Sequence, residues 1–171
     1  PLICAAEPLY VADQQGLNAL VERLRGHDCF AYDTEFIGET SYFPRLCLVQ
    51  VATADFVALI DPLPPDLNGD HPPRELAFDL TPLWQLLADP AVQKVVHAGE
   101  VDLEHVAQFI DQPPANVFDT QIADGFLHTD YPLSLENLIA RYLDVQLPKA
   151  LTFTRWDQRP LSDVHVHYAV D

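Results

Sequence analysis

The sequence predicts a mixed α/β domain, a β-sheet flanked by helices on both faces, in which an antiparallel meander of three strands is followed by parallel strands. Three observations carry that prediction. Three β-like runs lie close together at 30–36, 45–52 and 56–60, and only Thr53-Ala54-Asp55 separates the last two, short enough for a hairpin. Beyond residue 80, short apolar runs alternate with segments of helical period, which is the pattern of βαβ units. Finally, the 171 residues are 49% hydrophobic and show no internal repeat, which suits a single domain with its own core.

In chain order, residues 13–25 place Leu17, Leu20, Val21 and Leu24 at helical spacing, and Gly26 supplies a stop. The run 30–36 is apolar and aromatic until it closes on Asp33-Thr34-Glu35-Phe36. Residues 61–73 are rich in proline, with Asn68 and Gly69, and read as a loop within the domain. Thr81 is expected to cap a helix with Pro82 in its first turn and Leu83, Leu86 and Leu87 on its apolar side. A strand at 94–97 follows, then a helix at 99–110 with Val101, Leu103, Val106 and Ile110 inward, then a strand at 116–118. Asp119-Thr120 opens a helix through Leu127, Ser134 caps one through Leu143, and Ser162 caps a last one.

Nine Lys and Arg against twenty-six Asp and Glu give a formal charge of −17, which argues against a protein that grips nucleic acid through a broad basic surface. Metal ions held by clustered acids would supply positive charge locally instead. Arg141, Lys149, Arg155 and Arg159 fall in one short segment, as a basic patch or as an ordinary solvated face. No apolar stretch is long enough to span a bilayer, so no membrane partner is expected. The chain has no methionine and no signal-peptide pattern; Pro1 is not a translated start, and a fragment of a longer protein is expected. Cys4, Cys29 and Cys47 are odd in number and lack metal-ligand spacing, so they read as reduced thiols of a cytoplasmic protein.

The chemistry concentrates at Asp33 and Glu35. Side chains two apart on a strand share a face, their Cα atoms roughly 6.5–7 Å apart. Two acids so placed in a core repel each other and lose hydration, and they stay ionised only where cations answer them; hard divalent ions such as Mg²⁺ or Mn²⁺ prefer such oxygen ligands. The plainer reading, a wet strand end with Asp33 capping a turn, fits these residues equally well. Strand-to-helix turns usually build the sites of open α/β sheets, and His97-Ala98-Gly99-Glu100-Val101-Asp102 is such a turn. Asp102 is either a helix-start acid favoured by the dipole or a third acid facing the same crevice. His97 is a candidate ligand or a hydrogen-bonded structural residue, and Asp119 is most simply an N-cap. Tyr168 and Asp171 lie close enough along a helix to share a face, or end the chain as a surface turn.

Together these pieces resemble the catalytic domain of ribonuclease D, in the DEDD superfamily of 3′–5′ exonucleases, tyrosine subtype. The residues that carry the resemblance are Asp33-Thr34-Glu35-Phe36, Tyr42-Phe43-Pro44-Arg45-Leu46-Cys47-Leu48-Val49-Gln50, and His97-Ala98-Gly99 with Asp102 five residues after the histidine. Asp119-Thr120-Gln121-Ile122-Ala123, Ser134-Leu135-Glu136-Asn137-Leu138, and Trp156 with Arg159-Pro160-Leu161 also match, in order along nearly the whole chain. Two departures stand out. The third motif calls for an aspartate four residues after Tyr168, just past the last residue, and Asp171 is one early; Arg155 stands where the family commonly has an acid.

The resemblance implies a ribonuclease H-like fold and metal-dependent hydrolysis of the 3′-terminal phosphodiester of single-stranded RNA, of the tRNA 3′-end-processing class, releasing nucleoside 5′-monophosphates. It implies two divalent cations, Mg²⁺ or Mn²⁺, held by Asp33, Glu35, Asp102 and a fourth acid expected just after Asp171, with Tyr168 orienting or deprotonating the water. Phe36 is a candidate to stack on the terminal base or else a core phenylalanine, and His97 would contact substrate. It also implies a domain that ends short of its fourth ligand, with further domains beyond residue 171. Two other readings stay open: a catalytically dead relative that binds RNA or protein as an adaptor, and a DNA exonuclease with the same site.

Overall fold

The structure, a computed structural model, describes residues 7–37, 44–64, 76–147 and 155–170. The stretch Tyr42-Phe43, most of the proline-rich loop, Cys4, Lys149 and Asp171 lie outside the described residues. Six strands form one sheet: β1 (Leu9–Val11), β2 (Cys29–Ile37), β3 (Arg45–Ala52), β4 (Val57–Ile60), β5 (Gln93–Val96) and β6 (Val117–Asp119), in the order β1-β4-β3-β2-β5-β6. The meander β2-β3-β4 is antiparallel, and β5 and β6 add in parallel on the β2 side, as the sequence predicts. Strand β1, parallel to β4 at the far edge, is an addition that the sequence did not signal. Its three residues are too few to show alternation, and two of them are exposed.

Helices α1 (Gln14–Arg25), α2 (Thr81–Ala88) and α3 (Glu100–Ile110) cover one face. Helix α1 starts where Asp13 accepts from the Gly16 N–H at 2.7 Å and presents Leu17, Leu20, Val21 and Leu24 to Phe30, Tyr32, Val49 and Val51 of the sheet. Burying each such side chain contributes about 1.5–3 kcal/mol. On the other face, Cys47, Leu48, Leu59 and Leu63 pack with Trp156 and with Val166, Tyr168 and Val170 of α6 (Asp163–Val170). Helices α4 (Thr120–Gly125) and α5 (Leu135–Leu143) follow β6, capped by Asp119 and Ser134.

Several local expectations need correction. Thr81 is the first helical residue rather than the cap; its N–H is taken by the Asp79 side chain at 2.8 Å. Val101 is 44% exposed, because residues 101 and 103 cannot both face inward on a helix that buries Val106. Helix α4 stops at Gly125, and Leu127 beyond it is exposed. Of the two readings of the cluster at Arg141, Arg155 and Arg159, the described residues support no basic patch. Arg141 is paired with Asp124 and Asp130, Arg155 with Asp157, and Arg159 is buried against Asp61.

Candidate active site

The pleat of β2 sorts its side chains. Tyr32 and Thr34 point toward the helical layer, while Asp33 and Glu35 point to the opposite face, paired across the ladder with Gln50 and Leu48. A register shift between Glu35 and Phe36 ends this alternation, and Phe36 lies half-buried after it, outside the set of residues lining the cleft. That cleft, about 740 Å³, is lined by Asp33, Glu35, Gln50, His97, His167 and Tyr168 among others. Its apolar walls come from both β-strands and α6.

Asp102, in the first turn of α3, is held against β2 at Thr34 and is not among the residues that line the cleft. The Thr34 hydroxyl donates to Asp102 Oδ1, and the Tyr32 hydroxyl donates to its backbone carbonyl at 3.5 Å. The charges of the three acids act on one another. Loss of hydration and then the Asp102 charge push Asp33 up to about 6, partly offset by the Thr34 N–H that donates to it at 2.9 Å. Asp33 also opens to cleft water, which tempers that loss. Burial and then Asp33 push Glu35 up to about 8, against the Gln50 amide that donates to it at 3.3 Å. Tyr168 on α6, which lines the same cleft, is raised by burial and then by Glu35 and Asp33.

The donor chemistry fits divalent cations. Asp33, Glu35 and Asp102 offer only oxygen, their mutual repulsion is what a cation would relieve, and the buried Gln50 Oε1 has no hydrogen-bond partner among the described residues. Among the described residues, no three His, Cys, Asp or Glu side chains already converge closely enough to hold an ion. His97 lines the cleft, but Nδ1 lies 2.9 Å from Thr120 Oγ1 and Nε2 lies 3.1 Å from the Leu133 carbonyl, so both ring nitrogens are engaged within the protein. Three contributors went unnoticed in the sequence. Thr34 looked like filler between two acids, Gln50 was only the end of a strand motif, and nothing in its spacing singled out His167.

Residues 8–171 match the sequence profile of the 3′–5′ exonuclease family. The chain belongs to that family. Ribonuclease D of Zymomonas mobilis is 41% identical to this exonuclease domain over 161 residues, which are 94% of the chain and 38% of the relative. The chain thus spans about two fifths of the length of the curated relatives it matches. The structure of Escherichia coli RNase D, described as an exoribonuclease involved in structured RNA processing, superposes with a TM-score of 0.82 at 30% identity, covering 96% of this chain and 41% of that one. Brucella melitensis NrnC with bound Mg²⁺ superposes with a TM-score of 0.69 at 25% identity, covering 95% of this chain and 72% of that one. The mixed sheet of this exonuclease domain is therefore the ribonuclease H-like one.

Proposed function

We propose that this domain is a divalent-metal-dependent 3′–5′ exoribonuclease that hydrolyses the 3′-terminal phosphodiester of single-stranded RNA and releases nucleoside 5′-monophosphates. The observation that carries the reading is that Asp33 and Glu35, on one face of β2, line a cleft with Tyr168 of α6, while Asp102 at the start of α3 is bonded to Thr34 of the same strand. RNA as the substrate is supported by the ribonuclease D relatives, and divalent metal by the Mg²⁺ bound to NrnC.

When bound, two cations, Mg²⁺ or Mn²⁺, would supply Lewis acidity and a more acidic water. Asp33, Glu35 and Asp102 would hold them, with the aspartate expected just past Asp171 as the fourth acid. Tyr168 keeps its proton, because burial and the two acids disfavour the phenolate, so its hydroxyl orients the attacking water by hydrogen bonding. The apolar walls of the cleft limit water around the scissile bond. Phe36 is the proposed stacking surface for the 3′-terminal base, and His97, with both nitrogens engaged, contributes its ring edge to the wall. The proposed setting is RNA 3′-end processing in the cytoplasm.

The full-length protein is expected to shorten a single-stranded RNA from its 3′-hydroxyl end with Mg²⁺ or Mn²⁺, and Asp33→Ala to abolish the reaction. A DNA oligonucleotide of the same sequence, run in parallel, is expected to be cut more slowly. Activity persisting in Asp33→Ala, or absent from the wild type with either metal, would overturn the reading; faster cutting of DNA would replace RNA as the substrate.

A further inference from the structure

We propose that Asp119 is a positioning residue for Asp102: its carboxylate clamps the turn between β5 and α3 against the start of α4, and so fixes where α3 presents Asp102 to Asp33 and Glu35. The inference rests on the metal-site reading above and adds to it a residue that touches neither substrate nor metal.

As an ordinary N-cap, Asp119 needs one oxygen. Its Oδ1 accepts from the N–H groups of Gln121 at 2.8 Å and Ile122 at 3.3 Å, which satisfies the start of α4. The carboxylate does more. Oδ1 also accepts from the Ala98 N–H at 3.1 Å, and Oδ2 accepts from the Gly99 N–H at 3.1 Å, across separations of 21 and 20 residues. A single side chain thus ties together the entry to α4 and the entry to α3.

His97 and Thr120 tie the strand end of this turn, and Asp119 takes the backbone N–H groups of Ala98 and Gly99 that follow. Ala98 sits at φ 53°, in the left-handed region, a conformation that an L-residue keeps when its surroundings fix it. Gly99 is pressed so closely on Val96 that an added Cβ would lie 2.6 Å from the valine Cβ, so this position has no room for a side chain that could cap α3. Helix α3 accordingly has no side-chain cap of its own, and Asp102 is only three residues along it. Thr34 fixes the carboxylate end of Asp102, while Asp119 fixes the backbone end. Displacement of a reacting group by about 1 Å can cost roughly 10²-fold in rate, so a clamp at this distance from the chemistry matters.

Two variants separate the clamp from the cap. Asp119→Asn keeps one oxygen for the α4 N–H groups but turns an amide donor toward the Gly99 N–H. Asp119→Ser keeps a capping hydroxyl that is too short to reach the turn. In the full-length protein, both variants are expected to keep the wild-type circular dichroism and to weaken Mn²⁺ binding, followed by electron paramagnetic resonance, by about tenfold or more. A fall in kcat with an unchanged KM for single-stranded RNA is expected alongside, with faster amide hydrogen exchange at Gly99 in the metal-free protein. Mn²⁺ affinity and Gly99 exchange within about twofold of wild type in Asp119→Asn would overturn the inference, whatever Asp119→Ser does. The Asp102→Ala variant keeps the two failures apart. If the wild type binds Mn²⁺ and Asp102→Ala does not, normal binding in the Asp119 variants defeats the clamp alone; if Asp102→Ala binds as well as wild type, the metal-site reading fails and the clamp with it.

Discussion

Asp33 and Glu35 belong to the central strand, whereas Tyr168 belongs to the last helix, and the two halves of the site are held in different ways. Strand β2 is hydrogen-bonded on both sides, to β3 and to β5, so the direction of its two acids follows from the pleat alone. Helix α6 has no ladder to fix it. It is docked through Trp156, which is 5% exposed and lies 5.8 Å from the Tyr168 ring, and through Arg159. The Arg159 guanidinium donates to Asp61 at 2.6 Å and to the Cys47 carbonyl at 2.7 Å, and Tyr10 of β1 donates to the same Asp61. One half of the site is thus encoded by neighbours in sequence, and the other by an ion pair whose members are 98 residues apart.

The comparison can be broken most forcefully at Arg159. Its side chain and that of Asp61 are 2% and 4% exposed, so Arg159→Ala leaves a buried carboxylate without its partner and is expected to destabilise the domain by about 3–5 kcal/mol. Urea unfolding would show it, with exonuclease activity falling as α6 loosens. Asp33→Asn should behave in the opposite way, removing activity while leaving the unfolding midpoint at or above that of wild type. A stability loss of similar size in both variants would erase the distinction.

A smaller effect concerns pH. Asp33 is pushed up to about 6 and Glu35 to about 8, so in the metal-free protein the folded state keeps protons that the unfolded chain, with carboxyl values near about 4, has already released. The stability contributed by these protons is full below the unfolded values and is lost as pH rises through about 6 and then about 8. Thermal midpoints measured with a chelator at pH 5, 7 and 9 are expected to fall across that window, and Glu35→Gln to flatten its upper part. An unchanged slope in Glu35→Gln would mean that Glu35 is well hydrated. The smallest effect is expected at Trp156. Replacing it with Phe keeps an aromatic platform beneath Tyr168 and should cost on the order of 1 kcal/mol, with a modest loss of kcat.

The same contrast explains what could be read from the sequence. The meander, α1, and the shared face of Asp33 and Glu35 are local patterns of period two or 3.6, and the structure places them as expected. The place of Asp102 in the first turn of α3 was legible because a strand-to-helix turn fixes its neighbourhood within a few residues. Arg159 was not: beside Arg155 in the sequence it reads as surface charge, and only the distant Asp61 shows that it is a buried tie. Strand β1 was too short to reveal a period, and Asp119 showed its cap but not its second oxygen, since the turn it holds lies 20 residues earlier.

The central claim is that Asp33, Glu35 and Asp102 together hold divalent cations, and the most direct test is the anomalous scattering of Mn²⁺ in crystals of the full-length protein. The account predicts density in the cleft with carboxylate oxygens of all three residues at about 2.0–2.3 Å from Mn²⁺, lost in Asp33→Ala. A Mn²⁺-saturated, active protein with no density against these three acids would contradict it.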